Sequence, residues 1–84
     1  MKRTLTALVL GSLLLAACSN LTQANYDKIR TGMAFDDVTA ILGKPDNCSE
    51  TLGVKKCVWG NDSKHIDISF VAGKVLLTSS RNLQ

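Results

Sequence analysis

The chain has 84 residues, 45% of them hydrophobic and 20% charged, with a formal net charge of +3. That length excludes more than one domain, and so modest a charge excludes the strongly basic footprint of a nucleic-acid binder. One His, three Cys, no glycine-rich phosphate loop and no nucleophile–base arrangement exclude the common enzyme signatures, so no catalytic residue, metal, cofactor or small-molecule substrate is expected.

The first residues read as an export signal. Lys2 and Arg3 form a positive start, and residues 5–15 form an apolar run interrupted only by Thr6, Gly11 and Ser12. The run is shorter than the roughly 20 residues that span a bilayer and fits the apolar region of a secretory signal. Leu15-Ala16-Ala17-Cys18 resembles the lipobox of bacterial lipoproteins, which implies cleavage after Ala17 and acylation of Cys18. The expected organisation is a signal peptide over 1–17, an acylated Cys and short tether over 18–21, and one domain over 22–84. Losing Lys2 and Arg3 with the signal leaves 8 basic against 7 acidic residues, so much of the basicity belongs to the signal. Several acyl chains, at about 0.8 kcal/mol per buried CH₂, hold a small domain on a membrane. Ser19 in place of Asp, by resemblance to Gram-negative lipoproteins, implies sorting to the outer membrane with the domain facing the periplasm.

With Cys18 acylated, Cys48 and Cys57 remain. In an oxidising compartment such a pair reads as a disulfide. Neither lies in a C-x-x-C motif, and one His does not complete a zinc site.

Two short helices are expected next. The first runs from Thr22 or Asn25 to Arg30, capped by a side-chain oxygen, with Tyr26 and Ile29 on one face and Gly32 as its left-handed stop. The second covers 35–42. Phe35, Val38, Ile41 and Leu42 form one apolar stripe, Asp36 and Asp37 suit the dipole of the first turn, and Gly43 with Pro45 ends it. Asp36 and Asp37 point about 100° apart on a helix, so they do not converge as a catalytic pair. Ala34 stands where a capping Ser or Thr is expected.

From Asn47 the period changes to two, and four strands are expected over about 47–52, 55–60, 65–71 and 74–80. With turns at Leu52-Gly53, residues 61–64 and Ala72-Gly73, Cys48 faces Cys57, Trp59 faces Ile66, Cys57 faces Ile68, Phe70 faces Val75 and Ile68 faces Leu77. These apolar residues and both cysteines then share one face. Val58, His65, Asp67, Ser69 and Leu76 fall on the other. The expected fold is α+β, with the two N-terminal helices packed on one face of a three- to four-stranded antiparallel meander sheet. Trp59 reads as a core aromatic and His65 as a solvated strand residue. Val58 and Leu76 on the outer face, with Lys55 and Lys56, are the candidate partner-contact residues; near a membrane the lysines also suit acidic head groups.

Lys28-Ile29-Arg30-Thr31-Gly32-Met33, then Val38, then Leu42-Gly43-Lys44-Pro45 resemble the signature of the SmpA/OmlA, or BamE-like, family of small outer-membrane lipoproteins. Residues 66–70 followed by Gly73-Lys74-Val75 resemble that family's last hairpin. The likeness extends over residues 22–80 and includes a wider group of β-lactamase-inhibitor-like domains. It implies a non-catalytic adaptor that stabilises β-barrel outer-membrane protein assembly, with barrel assembly subunits as partners. The alternative is an inhibitor-like periplasmic binding domain, or a lipoprotein of the same fold with an unrelated partner. Ala34, Cys48, Cys57 and the brief tether depart from the adaptor pattern. No contact residue beyond Cys18 is carried over.

Overall fold

The computed structural model describes residues 20–84. The expected signal peptide and Cys18, the expected acylation site, lie outside them. The chain order is α1 (Gln23–Tyr26), α2 (Phe35–Leu42), β1 (Asn47–Thr51), β2 (Val54–Gly60), β3 (His65–Val71) and β4 (Lys74–Arg81). The strands form one antiparallel sheet in the order β1-β2-β3-β4.

The first two hairpins follow from their turn residues. Thr51 pairs with Val54 and Cys48 with Cys57; Gly60 pairs with His65, Trp59 with Ile66 and Cys57 with Ile68. The third hairpin departs from the simple alternation. Phe70 pairs with Val75, but a bulge between Ser69 and Phe70 shifts the rest, so Ser69 pairs with Leu77 and Ile68 with Thr78. An extra residue in one strand moves every later side chain to the other face. Leu77, expected inside opposite Ile68, therefore lies outside and is 67% exposed.

The expected α+β arrangement, with two helices packed as an N-terminal layer on the sheet, is corrected. Strand makes up 43% of the described residues and helix only 18%, so the domain is dominated by its sheet. The first helix, expected to reach Arg30, is a single turn of 4 residues capped by Thr22. One turn fixes several dihedrals for little hydrogen bonding, so a short helix persists only where packing holds it, and α1 buries no residue. Beyond it the chain pairs with the sheet instead of continuing. The Gly32 N–H donates to the Val75 carbonyl at 2.8 Å, the Val75 N–H to the Met33 carbonyl at 2.9 Å, and the Phe35 N–H to the Gly73 carbonyl at 2.9 Å. Ala34 bridges Lys74. Gly32, expected as a helix stop, thus belongs to a strap along the start of β4. Ala34 makes no side-chain cap for α2, because its methyl group offers no acceptor; its carbonyl oxygen accepts from the Asp37 N–H at 3.0 Å and the Val38 N–H at 3.1 Å.

The core comprises Val38, Leu42, Cys57, Trp59, Ile66, Ile68, Phe70 and Val75. Only Val38 and Leu42 come from a helix. The rest of the cover is partly buried Leu21, Tyr26, Ile29, Met33, Phe35, Ile41 and Leu83, much of it irregular chain. Phe35 meets Phe70 edge to face, with centroids 5.0 Å apart, a favoured aromatic geometry. The Trp59 indole N–H donates to the Gly43 carbonyl at 2.8 Å, which ties the end of α2 to β2.

Candidate functional site: the outer sheet face

The inner face is occupied by the core, so any surface that the sheet offers to a partner is the outer one. Cross-strand register builds it in rows. Ser49, Lys56, Ser69 and Leu77 form one row, and Asn47, Val58, Asp67 and Ser79 the next. Lys56 and Leu77 are exposed, while Val58, Asp67 and Ser69 are half-buried. A shallow depression of about 250 Å³ runs between Lys56, Asp67, Ser69 and Leu77.

At one end of this face lies a recess of about 410 Å³ lined by Asp46, Val58, Asn61, Asp62, His65 and Asp67. Its polar groups are largely engaged with each other. The Gly60 N–H donates to Asp46 Oδ2 at 2.6 Å. His65 Nδ1 lies 2.8 Å from the Asn61 carbonyl oxygen, and its Nε2 lies 3.4 Å from Asp67 Oδ2. These contacts account for His65 as a strand residue that anchors the loop beside it. Among the described residues, no group of three or more His, Cys, Asp or Glu side chains is placed to hold a metal ion.

The four sequence-derived contact candidates do not form one patch. Lys56 and Val58 share the outer face. Leu76 is 45% exposed and sits where β4 bulges, between Val75 and Leu77. Lys55 belongs to the covered side, where its Nζ lies 4.2 Å from the Phe35 ring centroid, a cation–π distance. It also stands opposite Glu50. Leu77 takes the place that sequence reasoning denied it, because periodicity carries no sign of a bulge. Leu52, read only as a turn residue, is 98% exposed; an apolar residue where Asn is expected was the available signal. Cys48 and Cys57 form the expected disulfide, with Cα atoms 4.1 Å apart, which fastens β1 to the rest of the sheet. No described helix is long and apolar enough to cross a membrane.

No curated protein and no solved structure matches the chain. A family model does match, over residues 14–83, and is described as a domain of unknown function with solved-structure structure, DUF3862. That match spans most of the sequence, and the chain belongs to this family of domains of unknown function.

Proposed function

We propose that the chain is a non-catalytic adaptor, held at the outer membrane by lipid on Cys18, that grips an envelope protein through its outer sheet face. The observation that carries this reading is the asymmetry of the sheet. All of its fully buried side chains point to one side, while Lys56, Val58, Asp67, Ser69 and Leu77 turn to the other. Mixed apolar and charged side chains on a firm strand scaffold suit a protein contact, since strands hold them in place before the partner arrives. The lipobox-like Leu15-Ala16-Ala17-Cys18 supports the anchor. The resemblance to SmpA/OmlA lipoproteins makes the β-barrel assembly machinery the first complex to test.

The test is cross-linking in intact membranes followed by mass spectrometry. Adducts from the outer face to a barrel assembly subunit, and outer-membrane permeability defects on deletion, are the expected results. A chain that forms adducts with no envelope protein is not an adaptor.

A further inference from the structure

The two tight turns at one end of the sheet are built against the backbone preference of their own residues. Leu52 and Ala72 both have φ 52°, in the left-handed region where a Cβ is crowded and Gly, Asn or Asp is at home. A glycine with positive φ follows each, Gly53 and Gly73, as a two-residue hairpin turn requires. Leu52 gains no burial in return, being 98% exposed. Next to it Val54 pairs with Val71, which is 41% exposed. Leu52, Val54, Val71 and Ala72 therefore make a projecting apolar tip. The loop at the opposite end is polar and conventional: Asn61 Oδ1 accepts from the Ser63 N–H at 2.9 Å and the Lys64 N–H at 3.0 Å, the usual use of Asn in a turn.

The described chain begins at that polar end, with Leu21 beside Gly60. The 7 residues of β2 separate the two ends by roughly 20 Å. The inference rests on the anchored-adaptor reading above, in which Cys18 stands two residues before Asn20. Lipid at that end leaves the apolar tip directed away from the bilayer, which selects a protein over lipid as its occupant. Charge narrows the choice. Lys56 is exposed on the outer face, and among the described residues it makes no ion pair. Lys55 is turned to the covered side over Phe35, opposite Glu50. Asp36 and Asp37 lie in the first turn of α2, next to the Gly73 turn that Phe35 binds. At this end of the sheet the outer side carries Lys56 and, paired with Val71, Lys74, while Glu50, Asp36 and Asp37 lie on the covered side. The acidic group of the outer face, Asp67, stands one row farther from the tip than Lys56.

We propose that the Leu52 hairpin is a docking finger that inserts into an apolar pocket with an acidic rim on an envelope protein. The cost of holding leucine in a left-handed turn is then offset in the complex rather than in the free domain.

The test places a photo-cross-linking amino acid at position 52, at 58 on the outer face, or at 62 in the opposite loop, in the full-length chain in its native envelope. Support requires an adduct from position 52 to one protein, at a site whose apolar residues are flanked by Asp or Glu. It also requires that Leu52→Asn weaken binding of that purified protein about tenfold or more, as loss of an anchor residue does, while the thermal midpoint of the variant does not fall. Lys56→Glu should weaken the same binding. A lipid adduct from position 52, or unchanged binding by Leu52→Asn, overturns the docking finger. Protein adducts from position 58 alone overturn it and leave the adaptor standing. No protein adduct from any position overturns both.

Discussion

At the residue scale, Trp59 closes the small core. It is 2% exposed, and its only polar atom is satisfied by the Gly43 carbonyl at 2.8 Å. Trp59→Phe keeps most of the apolar contact but leaves that carbonyl without its donor, which should cost about 2 kcal/mol. Urea unfolding followed by circular dichroism measures it, and an unchanged midpoint would show the bond to be dispensable. Leu52→Asn should do the reverse. Relieving a left-handed leucine should raise stability by about 1 kcal/mol, or about 5 °C in the thermal midpoint of a domain this size. The burial of Trp59 was legible from alternation along its strand. Its partner was not, because the two lie 16 residues apart and meet only once α2 has folded back over the sheet. Gly60 carries a similar constraint: it has φ +107°, and a Cβ there would collide with the Lys64 carbonyl. Only glycine accommodates both demands.

At the element scale, β1 depends on its staple. All 5 of its residues are exposed, so it adds nothing to the core and is held by its ladder to β2 and by Cys48–Cys57. For a loop of this length a disulfide contributes about 2.5 kcal/mol. Reduction should therefore free β1 while the remaining strands hold. Hydrogen exchange should show lost protection at Ser49 to Thr51 and retained protection at Ile66 and Ile68. Uniform loss across the sheet would mean that the core needs β1 after all. The pairing of β1, β2 and β3 was readable because the first turn and the β2–β3 loop were placed correctly from Gly53 and residues 61–64. The β3–β4 register was readable only to Val75, since the bulge beyond it leaves no mark on the apolar pattern. The first helix stops short of its apolar spacing for a related reason. Tyr26 and Ile29 stand three apart, and both pack against the core, yet the chain between them turns rather than coils.

At the scale of the whole molecule, the ends of the sheet differ. One carries the start of the described chain, the polar loop at residues 61–64 and the C-terminus, where the Asn82 amide donates to the Ser63 carbonyl at 2.6 Å. The other carries the two apolar turns. If Cys18 holds the lipid, Cys18→Ala should move the protein from the membrane fraction to the soluble fraction while leaving the fold intact. Fractionation with immunoblotting measures this, and persistence in the membrane fraction would rule out the lipid as the anchor. No described helix could substitute for it by crossing the bilayer.

Features that depend on local chemistry are written in the residues themselves. A strand period, glycine turns and two cysteines in matching positions specified the first hairpin, its disulfide and the inward face of β2 and β3. The second helix was likewise specified by its apolar stripe and its glycine–proline stop. How far the first helix runs, which edge residues 32–35 close, and on which face Leu77 lies follow only from the assembled fold. The first two are settled by competition between backbone hydrogen bonds within a segment and those offered by the edge of the sheet, the third by the bulge in the β3–β4 ladder. Sequence spacing records the first kind of bond and not the second. A two-residue turn at Leu52-Gly53 already implied a left-handed Leu52, but its 98% exposure, with no apolar neighbour to cover it, is visible only once the turn has its three-dimensional form.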